Sequence, residues 1–286
     1  MATPREIRNR IQSVQNTRKI TRTMELVSTA KSKRAVDRVH SAQPFSIKIE
    51  ELLSGLAGSA KDVSDPLLRQ STSPKKAIIM IVTSNRGLCG GFNSNTIRLG
   101  LNRRKELIAN GTEVEVVVIG KKAANFLKFL KVPVAQANFE IGDKPTFDQA
   151  REFADSFMER FSSEEIDLVE IVYTRYYNAG SQKPFIKNIL PLQLPEGSSS
   201  TSSAIFEPDA ESIIKALLPR AIRVGVYQTM IESVAGEHIA RRIAMKNATS
   251  AAGDMIRSMT RQYNRVRQAK ITQEIAEIVS GAEAIS

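Results

Sequence analysis

The chain has 286 residues, 42% of them hydrophobic and 25% charged, and a formal net charge of +11. These values exclude a disordered chain and allow one or two buried cores. No stretch approaches the roughly 18 uninterrupted apolar residues of a membrane-spanning helix, the longest being short runs such as Ala77 to Val82, so any membrane association is expected through partners. The single cysteine, Cys89, has no second cysteine for a disulfide and no His or Cys at metal-ligand spacing. The expectation is no metal, no cofactor and a reducing, cytoplasmic compartment. The arginine-rich start MATPREIRNRIQ lacks the apolar core and cleavage pattern of a secretory signal and reads as mature protein.

The positive charge sits at the two ends of the sequence. Residues 1–40 and 220–270 each carry ten Lys or Arg against three acids, +7 apiece, which leaves −3 for the remainder. Such ends predict an acidic partner: nucleic acid, a membrane surface or acidic protein loops.

The first element is a helix from Arg5 to about Ser41, free of internal proline and bounded by Pro4 and Pro44. At 100° per residue, Ile7, Ile11 and Val14 share one stripe, and Ile20, Met24 and Val27 fall on another more than a third of a turn away. A migrating apolar face predicts a helix that lies against a second helix and is also surrounded by other protein. The other reading is a bundle packed on the chain's own middle domain.

After a polar linker around Ser71 to Lys76, Ala77 to Thr83, Glu113 to Ile119 and Leu168 to Thr174 are β-branched runs of strand length. They alternate with helical stretches near Thr96 to Ala109, Lys121 to Lys131 and Phe147 to Phe161, a pattern that predicts a mostly parallel sheet covered by helices. Phe185 to Leu194 is a candidate edge strand limited by Pro184 and Pro191. The Ser-rich stretch Gly197 to Ser203 ends the domain as a linker. From about Ile222 to Ile285 the chain has no proline and few glycines and, if continuous, makes a helix roughly 95 Å long. Ala248, Ala252, Met255, Met259, Gln262, Val266, Ala269, Gln273 and Ala276 follow a 4-3 heptad spacing that calls for a partner helix at close backbone approach. The predicted organisation is an N-terminal arm over 1–70, an α/β domain over 75–195, a linker over 196–207 and a C-terminal arm over 208–286.

One motif looks chemical: SNRGLCGGFN, Ser84 to Asn93, after the first strand. Glycines there can cradle phosphate at a helix N-terminus. Yet Gly91 is followed by Phe92 and Asn93, not by the Lys-Ser or Lys-Thr of a phosphate loop, so a tight strand-to-helix turn is the expectation. The two histidines, His40 and His238, fall in the helical arms, leaving Cys89 without a base. A nucleic-acid binder is disfavoured because only Tyr227 and Tyr263 stand among the charges of residues 220–270.

Ile7 to Val27 (IRNRIQSVQNTRKITRTMELV), Ser84 to Asn93, Glu232 to Thr249 and Tyr263 to Ala284 resemble, in order, blocks of the ATP synthase gamma subunit family. Asn85 departs from the pattern, which commonly has an acid there. The resemblance implies a long antiparallel coiled coil of terminal helices plus a Rossmann-like α/β domain. It also implies a non-catalytic rotor shaft that couples ion flow through a membrane ring to ATP synthesis or hydrolysis and regulates the ATPase. The implied partners are the alpha and beta subunits of the hexamer, an epsilon subunit and the ring of c subunits, at the cytoplasmic face of the bacterial inner membrane. By match to family positions, Met24, Arg241, Arg267, Gln268, Thr272 and Glu274 are the coupling residues, and Phe206 and Glu207, in the segment FEPD ending at Asp209, are the ring-facing foot. A coiled-coil scaffold with basic arms is the alternative.

Overall fold

In β1 (Lys76–Val82) six consecutive residues are buried, which is what a strand covered on both faces demands of its sequence. Residues 3–56, 65–71, 73–193 and 209–283 are described by a computed structural model. The other strands and α-helices are α1 (Pro4–Leu56), α2 (Phe92–Ala109), β2 (Glu113–Ile119), α3 (Lys121–Phe129), β3 (Gln136–Asn138), α4 (Phe147–Ser162), β4 (Leu168–Asn178), β5 (Ser181–Leu190) and α5 (Ala210–Glu283), with a short 3-10 turn at Pro66–Leu68. Two compact units result. One comprises residues 29–240; the other comprises residues 1–28 with 241–286.

In the larger unit the five strands lie in the order β3-β2-β1-β4-β5. β1 pairs in parallel with β2 and β4, β2 pairs in parallel with β3, and β5 closes the edge antiparallel to β4. Alternate strand residues serve two cores. Ile79, Ile81, Val116, Val118 and Val172 pack with Ile97 and Leu107 of α2 and Ala123 and Leu127 of α3. Ile78, Met80, Val117, Ile171 and Tyr173 face the other way, toward Phe153, Phe157 and Phe161 of α4, Ile49 and Leu53 of α1, and Ile214, Leu218 and Ile222 of α5. A capping box, Thr146 with Gln149, starts α4.

Several local expectations are corrected. The first helix does not stop before Pro44 but runs on to Leu56. Pro44 is exposed, and the burial of Ile49 and Leu53 beyond it offsets the roughly 3 kcal/mol that an interior proline costs. β5 likewise runs through Pro184, as an edge strand permits. β3 was not expected from QAN; its backbone merely extends the sheet beside β2.

In the smaller unit, Thr249 Oγ1 donates to Thr21 Oγ1 at 2.9 Å and Gly253 stands beside the Arg18 guanidinium. The two helical stretches therefore run antiparallel, with level residues whose numbers add to about 270. The α5 side of the seam is Met245, Thr249, Ala252, Ile256, Met259, Tyr263 and Val266, all buried or half-buried, and Met255 and Gln262 are exposed. The expected row through 252, 259 and 266 is present. Its companion row is displaced by one residue, because three and four both satisfy a heptad step and the bulkier Ile256 and Tyr263 take the inside. On α1 Ile7, Ile11, Val14, Thr21 and Ser28 keep one 4-3 row at the seam, whereas Ile20 and Val27 of the second stripe are 61% and 50% exposed.

Gly120 joins β2 to α3 with φ of +97°, and a Cβ there would lie 2.2 Å from the Thr83 carbonyl oxygen. Gly120→Ala should destabilise the chain by about 3 kcal/mol or more in urea unfolding. At Gly111, φ is +84° with nothing within 4 Å, so Gly111→Ala should cost only about 1 kcal/mol.

Candidate functional site

The Gly-rich turn is closed upon itself. Asn93 Oδ1 accepts from Ser84 N at 3.0 Å, and Asn93 Nδ2 donates to Ser84 Oγ at 2.8 Å and Cys89 Sγ at 3.1 Å. Phe92 N donates to Cys89 O and Asn95 N to Gly91 O. A phosphate cradle aims such amides at a ligand; here they point at the chain's own acceptors. Cys89 is 2% exposed, out of reach of a substrate. The turn is a packing device, as its missing lysine suggests.

Asn85 has a specific task. Its Nδ2 donates to Phe139 O at 3.0 Å and Ile141 O at 3.3 Å, and its Oδ1 accepts from Lys121 N at 3.0 Å. A carboxylate in its place retains the third bond and loses both donated ones. These bonds fix the loop between β3 and α4, whose Asp143 carboxylate takes Lys31 Nζ and faces His238 Nε2 at 3.5 Å. The Asp143 carbonyl accepts from Arg38 at 3.3 Å. One loop thus holds α1, α5 and the sheet together within the larger unit. Burial pushes the Asp143 carboxyl up, but the Lys31 hydrogen bond and the charges of His238, Lys31 and Arg86 more than offset this and hold it below its ordinary value.

A cavity of about 620 Å³ lies between this loop, the turn after β1 and α5. It sits at the carboxyl ends of the parallel strands, where open α/β sheets commonly bind ligands. Its charges balance, with Arg86, Lys121 and Lys144 against Glu140, Asp143 and Glu237. Of the hydroxyls that line it, Ser84 Oγ donates to the Arg86 carbonyl and Thr83 Oγ1 to the Ile119 carbonyl, neither to a base of the kind that activates a nucleophile. A second titratable group lies between β4, β5 and α5. Burial pushes the Lys187 ammonium down and the Glu232 and Tyr173 acids up. Glu232 accepts from Tyr176 N at 3.1 Å, and the group ties α5 to the sheet edge. Among the described residues no cluster of three His, Cys, Asp or Glu could hold a metal, and no helix is long and apolar enough to cross a membrane.

The coupling residues named from the sequence all lie in the smaller unit. Met24 is half-buried at the seam margin and Arg241 is buried. Arg267, Gln268, Thr272 and Glu274 are exposed; Thr272 Oγ1 donates to Gln268 O at 3.0 Å, and Glu274 meets Lys270 at 3.5 Å. The helix register separates Gln268, Thr272 and Glu274 from Met24. Met24 stands level with about residue 246, and those three lie roughly 33 to 42 Å farther along at 1.5 Å per residue. Phe206 and Glu207 lie outside the described residues, as does the 196–207 linker. Asp209 caps α5, accepting from Ser212 N at 2.7 Å.

Sequence reasoning missed the feature that sets these positions apart. α1 begins at Pro4, level with about residue 266, and beyond that level α5 has no helix beside it among the described residues. Every described residue from Arg267 to Ala282 is exposed, including Ile271, Ile275, Ile278 and Val279. The unequal lengths of the two arms, added to their antiparallel order, were the available signal.

Such an arrangement defines a class: a helical pair with an apolar-striped end that has no partner among the described residues, joined in sequence to an α/β domain. The family model described as ATP synthase matches residues 3–285. The ATP synthase gamma chain of Leptospira biflexa is 53% identical over all of both chains, and that of Gemmatimonas aurantiaca is 42% identical over all of this chain and 99% of its own. The fold is similar to a chain of the Euglena gracilis mitochondrial ATP synthase (OSCP/F1/c-ring, rotational state 3), with TM-score 0.69, 20% identity and coverage of 99% and 94%. It is also similar to one in the central stalk/c-ring structure of the Tetrahymena thermophila enzyme, with TM-score 0.59, 22% identity and coverage of 80% and 99%. The chain belongs to the ATP synthase gamma-chain family.

The depressed Asp143 carboxyl has a consequence for stability. A carboxyl depressed in the folded state stabilises it above the unfolded pKa, and that contribution is lost as pH falls through the folded pKa. Asp143→Asn should therefore lower the urea midpoint at pH 7, and the gap to the parent should close on acidification below pH 4.

Proposed function

We propose that this chain is the central rotor shaft of an F-type ATP synthase and carries no active site of its own. ATP chemistry belongs to the beta subunits of an alpha/beta hexamer. The chain passes torque between that hexamer and a membrane ring of c subunits, with an epsilon subunit beside it, and so couples ion flow to ATP synthesis or hydrolysis and regulates the ATPase. Its place is peripheral, at the cytoplasmic face of the bacterial inner membrane. The functional division is an arm over 1–70, a domain over 75–195, a linker over 196–207 and an arm over 208–286.

The observation that carries this reading is the lone end of α5. Ile271, Ile275 and Ile278 recur at heptad spacing on a helix with no described residue packed beside them and are 46%, 56% and 71% exposed. Such a stripe in water gains nothing from burial, so it calls for enclosure by other protein. Ile20, Leu26 and Val27 extend the same demand to α1, at 61%, 57% and 50% exposed. A shaft that presents different faces to three sites in turn shifts each site's conformational equilibrium by its differential contacts alone. A scaffold outside such a complex is disfavoured by the family relationship and by this apolar end.

Ile275→Lys with Ile278→Lys tests the enclosure. Both side chains are exposed, so unfolding of the isolated chain should change by no more than about 0.5 kcal/mol, while the fraction recovered with co-expressed alpha and beta subunits falls severalfold. Equal recovery would remove the end of α5 from the hexamer contact.

Met24→Lys tests coupling. At the half-buried margin of the seam the new cation enters a region that holds Arg241 and Lys246, and a charge there changes the contact with partner loops as the rotor turns. ATPase should persist in assembled complex while ATP-driven ion pumping falls. Changes at Gln268, Thr272 or Glu274 should restore pumping by altering hexamer contacts, since the register excludes direct pairing with residue 24. If ATPase and pumping decline in proportion, Met24 is a packing residue.

A further inference from the structure

The outer face formed by α2 and α3 carries a groove of about 560 Å³. Its apolar residues are Ile97 and Leu101 of α2 with Phe126 and Leu130 beyond them. Arg98, Lys105 and Lys122 stand on its rim, and no carboxylate lines it. α2 and α3 together hold seven Lys or Arg against one acid, Glu106, and that acid is hydrogen-bonded to Arg103 at 3.1 Å. Residues 41–219 carry 21 Lys or Arg and 21 Asp or Glu, so with these two helices set aside the rest of that stretch is net negative and this face concentrates its positive charge. Phe126 and Leu130 remain 44% and 43% exposed, and Phe129 and Ile108 nearby are 80% and 44% exposed.

From this geometry we infer that the groove is a docking site for an amphipathic helix with an apolar stripe flanked by Asp or Glu. The placement of the charges selects that occupant. From Ser94 to Lys105 the α2 wall runs roughly 17 Å at 1.5 Å per residue, with Lys122 near one end, Arg98 along the wall and Lys105 near the other. A single-headed anion such as a fatty acid satisfies one of these cations. Three turns of helix with carboxylates on both flanks reach all three while anchoring apolar residues at i, i+3, i+4 and i+7. A flat membrane surface cannot enter the groove to meet Ile97, which is 4% exposed. A second copy of the same face would set cation against cation. The inference is independent of the rotor reading, because it concerns a face of the larger unit that the helical pair does not supply.

The full chain is titrated by fluorescence anisotropy with a stapled helical peptide of about 14 residues, long enough to span the groove. It carries Leu at i, i+3, i+4 and i+7 with Glu on both flanks, and a matched peptide has Lys for Glu. The Glu helix should bind at least tenfold more tightly than the Lys helix and weaken as salt rises. Lys105→Glu with Lys122→Glu should weaken the Glu helix at least tenfold and reverse the preference toward the Lys helix, which also shows that the variant is folded. Phe126→Ser should weaken both peptides. Equal affinity for the two helices, or an unchanged Glu-helix affinity in the charge-reversed variant, overturns the proposal. So does binding to anionic phosphatidylglycerol vesicles that depends on the same lysines when the Glu helix does not bind.

Discussion

An amphipathic helix has to cover its apolar face, and no described part of α1 reaches the level of Ile271 to Val279 on α5. Along the paired stretch Met245, Ala252, Met259 and Val266 turn inward, each buried or half-buried. Past Arg267 the same residue types are in water. At the same 4-3 spacing the seam rows continue as Lys270, Gln273, Glu277 and Ser280, while Ile271, Ile275 and Ile278 stand on another face, so the paired seam and its apolar character end together and a second apolar stripe begins. The end of α5 is therefore complete in its own backbone hydrogen bonds and incomplete in its burial, the condition under which a helix takes its stability from what it is inserted into.

The larger unit shows the opposite balance. Its sheet is covered on both sides, and its polar residues are spent on holding loops. Arg103 makes a two-pronged pair with Glu170, Nε to Oε2 and Nη2 to Oε1, both at 2.8 Å. This neutralises a carboxylate that β4 would otherwise carry unpaired into the sheet face. Asn85 shows the same economy at the turn after β1. The loop it holds offers carbonyl oxygens, which require a donor, and an amide serves as both donor and acceptor where a carboxylate only accepts. The glycines of that turn fit the same account. Gly90 has φ of +59°, a backbone need that requires no ligand.

Much of this was legible in the sequence because the signals are local. A run such as Ile78-Ile79-Met80-Ile81-Val82 has strand length and no polar face, and Thr146 with Gln149 marks a helix start by its own hydrogen bonds. What stayed hidden depended on a neighbour. β3 has no strand propensity in Gln136-Ala137-Asn138 and exists because β2 offers an unpaired edge. The course of α1 past Pro44 depends on a core that Ile49 and Leu53 meet only after folding. Hydrophobicity alone does not mark Thr21 and Ser28 as lining the seam, with Ile20 and Val27 on the second, exposed stripe. In this pair Thr21 and Ser28 lie inside and larger apolar residues outside, which reverses the usual rule wherever close backbone approach governs. The register, and with it the separation of Met24 from Gln268, follows from a pairing between residues 228 positions apart, which no local pattern encodes.

That register also has to be specified by something stronger than the Thr21–Thr249 hydrogen bond. Each hydroxyl has a backbone acceptor in its own helix, Thr21 at Arg18 O and Thr249 at Met245 O, so sliding the helices sacrifices about 1 kcal/mol. The level pairs supply the rest. Ile7, Ile11 and Val14 stand level with about residues 263, 259 and 256, which are Tyr, Met and Ile, whereas Thr21 stands level with Thr249. Large residues meet large ones near the start of α1, and small polar residues meet near the other end of the paired stretch. A slip of one heptad keeps every residue on its face but moves Val14 opposite Thr249 or Thr21 opposite Ile256. Each sets a threonine hydroxyl against an apolar side chain where two apolar side chains had met. A graded seam of this kind holds one alignment without a continuous row of large residues, and it leaves Ile20, Leu26 and Val27 on the outside for contacts that are made and broken.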